Sequence, residues 1–409
     1  MDDLLDRDGV QRIEAYFEDV GRLLGDVRRK GSFAAYARGL LLDGDRKSVE
    51  PIAARVCGEP VATKRMHDRI LNFLVDSTWS DRTIRLFAAR HGLDAMAAVG
   101  EQVSHWIIDD TGFIKQGSHS VGVQRQYTGS AGKRINCQIG VSLSIASPNH
   151  HLPIDFDLFI PESWTSKPKR RAEARIPPDL VFRTKPQIAV DMIARALDDG
   201  IPPGLVLADA AYGDSSDFRK SLRDRGLDYA VGIRNGTKVW RVDAKLRRRG
   251  PAISVRELGL ALMGDGGFRR VTWREGTGAA LSSRFAIVRV VPFHDDGWHP
   301  DVREDVGLVI EWEQGEATPN KFTLTTLPAR LSKRKTVRRI KERYRTERVY
   351  QELKGQFGLD HYEGRRYPGW HHHISCVLIC NAFILGERLR SFPPSAARYR
   401  QARPVALAA

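Results

Sequence analysis

Three carboxylates stand in settings suited to a hard cation: Asp110 in HWIIDDTGF, Asp209 in GLVLADAAYGD and Glu347 in RYRTERVYQELK. A hard divalent cation takes oxygen ligands, carboxylates among them. Asp110 and Asp209 close the apolar segments HWIIDD and LVLAD, which read as buried strands of a mixed or parallel sheet. Their carboxylates would emerge at strand ends, where open α/β sheets bind ligands, and Glu347 would approach from a charged helix. Asp109 is expected to point to the opposite face of the strand from Asp110, or to its end, because strand side chains alternate, and it stands as the alternative ligand on this strand.

The third acid belongs to a pattern. At about 100° per residue, Arg343, Glu347 and Lys354 fall within one narrow helical stripe. Val349, Leu353 and Phe357 fall on the far side, suited to packing on a sheet, and Glu352 points away from the stripe. The same helix thus shows a polar face, with one carboxylate between two cations, and a buried one; a solvated charged helix with Glu–Lys pairs is the plain alternative.

The surrounding elements must position these groups. RIEAYFEDVGRLLGDV, SFAAYARGLLL and KRMHDRILNFLVDSTWSDRTIRLFAARHG carry helical apolar spacing with a break near Ser80, so residues 1–100 are predicted to form a helical N-terminal domain. Its Lys64, Arg65, Arg69, Arg82 and Arg85 are candidates to line a DNA backbone. From His105 the pattern becomes strands: HWIIDD, VGVQRQYTG, INCQIGVSLSIAS and LPIDFDLFI. TSKPKRRAEARIPPDLVFRTKP is polar and Pro-rich, and reads as a basic surface loop. KPQIAVDMIARALDDG reads as an amphipathic helix, GLVLADAAYG as a strand, DSSDFRKSLRDRG as a capped helix and LDYAVGIRN as a strand. Strands, helix, strand, helix and strand, with acids on the first and fourth strands, is the order of an RNase H-like fold. Short alternating runs between Gly-rich turns predict an inserted β-rich subdomain over 234–330. A long charged helix from about Arg334 and an apolar packing helix follow, and 391–409 reads as a mobile tail.

With 409 residues the chain is long enough for several cores. Lys+Arg 65 against Asp+Glu 50 gives a formal charge of +15, the balance of a protein that meets a polyanion. Cys57, Cys137, Cys376 and Cys380 are too scattered for a disulfide framework and point to a reducing cytoplasm. No apolar stretch approaches the roughly 20 residues of a membrane span, and the acidic start MDDLLDRDG has no signal-peptide pattern. Nucleotide-binding glycine motifs are absent.

Taken together, these motifs resemble a bacterial insertion-sequence transposase of the DDE superfamily, in the group with a Tyr-Arg-Glu-Lys signature. The resemblance spans roughly residues 100–390. It rests on Asp110-Thr111 after the first strand, Asp209 after the fourth, the β insertion, and Arg343, Glu347 and Lys354 at the last three signature positions. The Tyr position holds Ile340, so the DNA contact implied for it is either absent or supplied by Tyr344 or Tyr350. The resemblance implies an α/β architecture: an RNase H-like mixed sheet over 101–233 and 331–390, interrupted by the inserted β subdomain and preceded by the helical domain. It implies two Mg²⁺ ions, replaceable by Mn²⁺, held by Asp110, Asp209 and Glu347, with Arg343 and Lys354 on DNA phosphate. It further implies double-stranded DNA as partner (terminal inverted repeats and target), a dimer in the DNA-bound assembly, no membrane, and a cytoplasmic, nucleoid-associated location. A DNA-binding protein that keeps the fold without catalysis, or an RNase H-like nuclease, are the competing readings.

Two further clusters carry weaker expectations. His371, His372 and His373 near Cys376 and Cys380 have zinc-ligand chemistry but unsuitable spacing, and read as a packing or DNA-facing corner, with both cysteines as small hydrophobes. Trp240, Trp273, Trp298 and Trp312 in the insertion could stack on an unpaired base, although such residues usually serve a core.

Overall fold

The computed structural model describes residues 7–242, 248–274, 280–293 and 305–393. Five helices come first: α1 (Arg7–Leu24), α2 (Val27–Leu41), α3 (Val49–Cys57), α4 (Pro60–Val75) and α5 (Asp81–Ala98). Ser80 is the break expected from sequence: its hydroxyl caps α5 by accepting from Thr83 N. α3 has no counterpart in the periodicity reading; it is nine residues long, with only Ile52 and Ala53 buried.

Four strands follow: β1 (His105–Ile114), β2 (Gln124–Thr128), β3 (Lys133–Ala146) and β4 (His151–Phe159). Short helices α6 (Glu162–Thr165) and α7 (Pro168–Glu173) lead to α8 (Lys185–Asp198), β5 (Leu205–Ala208), α9 (Ala210–Gly213), α10 (Ser216–Asp224) and β6 (Tyr229–Ile233). β3 pairs antiparallel with β1 on one edge and with β2 and β4 on the other, while β1, β5 and β6 run parallel. The order β4-β3-β1-β5-β6, three antiparallel strands joined through helical crossovers to two parallel ones, is the RNase H-like arrangement expected from sequence. The segment read as a basic surface loop is more structured than that: it contains α7, and Ala174 and Ile176 are buried. Its apolar residues are too few to give a period, so its composition hid this.

Strands β7 (Lys238–Val242), β8 (Arg248–Ser254), β9 (Arg269–Arg274), β10 (Leu281–Pro292), β11 (Val306–Trp312) and β12 (Lys321–Thr325) do not form a separate layer. β12 pairs antiparallel with β6, so they extend the same sheet to twelve strands among the described residues. They also enclose a helix, α11 (Val255–Gly264), started by a capping box in which Ser254 and Glu257 satisfy each other's backbone N–H.

The long charged helix read from about Arg334 is broken. α12 (Lys333–Ile340) gives way to a 3-10 turn over Lys341–Tyr344 before α13 (Arg345–Phe357). No Gly or Pro marks the break, so helical spacing could not reveal it. α14 (Tyr367–Ser391) is almost wholly buried and packs on α5, α2, α4 and β4, joining the N-terminal helices to the sheet. Most of the tail read over 391–409 lies outside the described residues.

This junction accounts for part of the basic surface expected of the first domain. Arg85 is 7% exposed and bonded to Asp81 at 2.6 Å and to Asp155 of β4 at 2.9 Å, and Arg82 pairs with Asp199. Those two cations tie α5 to the sheet domain, whereas Lys64, Arg65 and Arg69 are exposed. Among the described residues no helix is long and apolar enough to cross a membrane.

Candidate active site

β1 presents its two faces to different helices. Ile107 belongs to a cluster with Leu205, Leu207 and Ile340, while Trp106 and Ile108 join the main core that includes Ile188 and Met192 of α8. Asp109 follows the parity of Ile107. It registers opposite Ser142 of β3, whose hydroxyl bonds Tyr350 OH of α13 at 2.5 Å. Asp110 therefore faces α8, and Asp109 faces the helix that carries Glu347.

Each carboxylate has its own cation. Arg343 Nη1 lies 2.7 Å from Asp109 Oδ2. Lys185 Nζ, at the start of α8, lies 2.9 Å from Asp110 Oδ2, and Tyr212 OH donates to the same oxygen at 3.3 Å. Thr184 fixes Lys185 in place by a capping box with Gln187. Burial pushes the Asp109 carboxyl up to about 7; Arg343 opposes that shift, and the negative charges of Asp209 and Asp110 add to it. Burial opposes the charge on Arg343, but the carboxylates of Asp109, Asp209 and Glu347 hold it, so its pKa rises overall.

Asp209 ends β5 and caps α9, its carboxylate accepting from Ala211 N at 2.9 Å. Its placement needs two glycines. A Cβ on Gly213 would lie 2.0 Å from Gly232 O, and one on Gly232 would lie 3.0 Å from Ala210 N, so the turn after Asp209 sits directly on β6. Glu347 is exposed in the first turn of α13. Glu352 pairs with Arg388 of α14, away from the other acids. Lys354 Nζ bonds Gly112 O of β1 at 2.9 Å and Ser130 Oγ at 3.1 Å.

The stripe inferred for one helix is thus assembled from two segments. Arg343 lies in the 3-10 turn, Glu347 and Lys354 on α13, and Ile340 closes α12 against apolar neighbours. Of the two tyrosines suggested for the missing signature position, Tyr350 is buried on Ser142, while Tyr344 lies under Arg274, whose guanidinium carbon is 4.7 Å from the ring centre.

The donor set of Asp109, Asp110, Asp209 and Glu347 is all carboxylate oxygen, the chemistry a hard divalent cation takes. Asp109 and Asp110 lie in the middle of β1 and not at its end as expected from sequence, because the strand continues along β3 to Ile114, whereas Asp209 follows directly on β5; like charges gathered there favour a cation among them. In the geometry described, Arg343 and Lys185 serve that purpose, and among the described residues no three His, Cys, Asp or Glu side chains stand close enough together to hold one metal ion. Lys185 and Tyr212 escaped the sequence reading. The signals were a Thr-Lys-Pro helix start, and a Tyr three residues after Asp209 in DAAYGD.

The remaining clusters serve packing. His372 stacks on Trp79 with ring centres 3.8 Å apart and bonds Leu74 O, and His373 bonds Tyr36 OH and Leu359 O. Cys376 and Cys380 are fully buried, so the His run is a core corner and not a DNA-facing one. Trp273 packs on Phe285 under Lys341, Trp312 lies beneath Arg284 and against Phe268, and Trp240 packs on Phe293. Trp298 lies outside the described residues.

Residues 21–280 match a family model described as DDE superfamily endonuclease. That match includes Asp109, Asp110, Lys185 and Asp209 and ends before Glu347. The chain is also similar to a probable transposase for insertion sequence element IS701 from Microchaete diplosiphon, 30% identical over 227 residues, 55% of this chain and 54% of the relative. It therefore spans about half the length of that curated relative. Among solved structures, the piggyBac transposase synaptic complex with hairpin DNA aligns over 92% of this chain and 75% of its own, with 9% identity and a TM-score of 0.39.

Proposed function

The chain belongs to the DDE superfamily of endonucleases, and we propose that it is a transposase that cuts double-stranded DNA at the ends of its own mobile element and joins them to a target. The observation that carries this reading is the meeting of Asp109 and Arg343 beside Asp209 and Glu347, on the face of β1 covered by α13. It supports a site where carboxylates from two strands and one helix converge with a guanidinium able to bind phosphate.

In this reading, Asp209, Glu347 and the β1 carboxylates would hold two Mg²⁺ ions, or Mn²⁺ in their place. Asp109 approaches from the side of α13 and Asp110 from the side of α8. Bound there, such ions supply activation of the attacking water or 3′-hydroxyl and stabilisation of the leaving 3′-oxygen. Arg343 is then free to fork onto a phosphate next to the scissile bond, and Lys354 holds the neighbouring backbone as a point charge. Lys185 and Tyr212 orient Asp110 until the site fills. The acting form is a dimer on paired element ends, in the bacterial cytoplasm.

The test is cleavage of a duplex carrying the sequences that flank the gene, in Mg²⁺. Asp209→Asn and Glu347→Gln should lose cleavage at least about 100-fold, the scale of removing charge stabilisation at a reacting centre, while end binding stays near parental. Binding without cleavage by the parent chain would favour a catalytically silent DNA-binding protein.

A further inference from the structure

α12 carries Lys333, Arg334, Lys335, Arg338 and Arg339 in eight residues and no acid. Arg334, Lys335, Arg338 and Arg339 are exposed, and among the described residues none of the five side chains makes a hydrogen bond or ion pair. The buried or half-buried Arg85, Arg183 and Arg195 are, by contrast, each matched to aspartates.

Such a helix is electrostatically unfavourable by itself. Lys333, Arg334 and Lys335 occupy the first turn, where the helix dipole disfavours positive charge. Arg334 and Arg338, and Lys335 and Arg339, are like-charge neighbours four residues apart. What holds α12 in place is a small apolar contact, with Val337 fully buried against Val271, Phe285 and Val309. Fold stability does not account for the charge; a polyanion does.

Its position says which polyanion. Ile340, the last residue of α12, packs against the apolar cluster that contains Ile107, and Ile107 shares its face of β1 with Asp109. Arg343 then follows within the 3-10 turn. The five cations, Arg343 and Glu347 therefore lie along one continuous stretch of chain, with α12 covering the sheet face next to the proposed cleavage site.

We propose that α12 is a backbone-binding element for duplex DNA, gripping the phosphates that flank the scissile bond without reading the bases. This rests on the transposase reading, because it takes the duplex at the carboxylate site as the partner. Each phosphate neutralised contributes a slope of about −0.9 to log Kobs against log[salt]. Titrating the full chain with labelled duplex across a salt series measures that slope for the parent and for a variant carrying Arg334→Gln, Lys335→Gln, Arg338→Gln and Arg339→Gln. All four side chains are exposed, and circular dichroism and the unfolding midpoint check that the variant is folded.

The expected result is a slope shallower by about 2 to 4 in the variant, and a loss of affinity that is equal for specific and unrelated duplexes. An unchanged slope in a folded variant overturns the proposal and leaves the transposase reading intact. A parent that binds no DNA overturns both. A parent that binds and cleaves in Mg²⁺, with a variant whose slope is unchanged but whose preference between sequences is altered, also overturns it, because α12 would then be reading bases. Should the variant misfold, the two pairs Arg334→Gln with Arg338→Gln and Lys335→Gln with Arg339→Gln are measured separately, each with an expected slope change of about 1 to 2.

Discussion

Arg343, in the turn before α13, reaches Asp109 in the middle of β1, Nη1 to Oδ2 2.7 Å, joining the helix of the third acid to the central strand. Asp109 is 9% exposed and its carboxyl is pushed up to about 7, chiefly by burial. This part-buried pair orients both groups, and in the proposed reading a DNA phosphate and a divalent cation would each take over one of its members.

Arg343→Ala should slow cleavage about 10- to 100-fold with a smaller effect on end binding, since a charge-assisted bond is worth about 1.5–3 kcal/mol. Arg343→Lys should restore part of the rate, as an ammonium lacks the planar fork. Single-turnover rates at equal DNA occupancy check this. Equal losses in binding and rate would make Arg343 a general DNA contact.

The two β1 carboxylates can be separated. Asp109→Asn and Asp110→Asn are both expected to lose cleavage by about 100-fold or more. If Asp110→Asn cleaves at the parental rate while Asp109→Asn does not, the ligand on β1 is Asp109 alone; the converse would leave Asp110 alone.

Much of this was legible beforehand, for identifiable reasons. Asp209 ends a short, wholly apolar run before a turn; flanking Gly and the shortness of the run favour a buried strand with the acid at its tip, and β5 is that strand. The Asp109–Asp110 pair was harder. Alternation says that the two point apart, but which of them meets α13 depends on whether Ile107 or Ile108 faces that helix, and both are fully buried. Lys185 was invisible for a related reason: its partner lies on β1, far away in sequence, so no local spacing encodes the contact. The joint between α12 and α13 is set by Val337 and Ile340 docking on the sheet and not by a breaker residue.

Lys185 neutralises Asp110 before any cation binds. Lys185→Met should therefore raise the affinity for Mn²⁺ several-fold, read by calorimetry or paramagnetic resonance without DNA. A lower affinity would instead make Lys185 an organiser of the ligand set.

Burial pushes His151 down to about 3, with Arg345 adding to the shift. It likewise holds His372 at about 4 and His373 at about 3, against backbone hydrogen bonds that work to raise them. In the unfolded chain a histidine titrates near 6.5, so the unfolded state binds more protons below that pH. Their contribution to stability is complete above about pH 6.5 and is lost as pH falls towards 4, at a slope of up to about 1.4 kcal/mol per pH unit for each. Unfolding midpoints from pH 7 to pH 4.5 should fall steeply, and His372→Gln should flatten the profile. A midpoint independent of pH across that window would mean that these rings are not held neutral.

The most direct test of the central claim maps the DNA ends made by the purified chain on a plasmid carrying its gene with flanking sequence. Breaks with 3′-hydroxyl ends are expected at two fixed borders, dependent on Mg²⁺ or Mn²⁺, abolished by chelation and absent with Glu347→Gln. Breaks that persist in chelator, or that Glu347→Gln leaves unchanged, would contradict it.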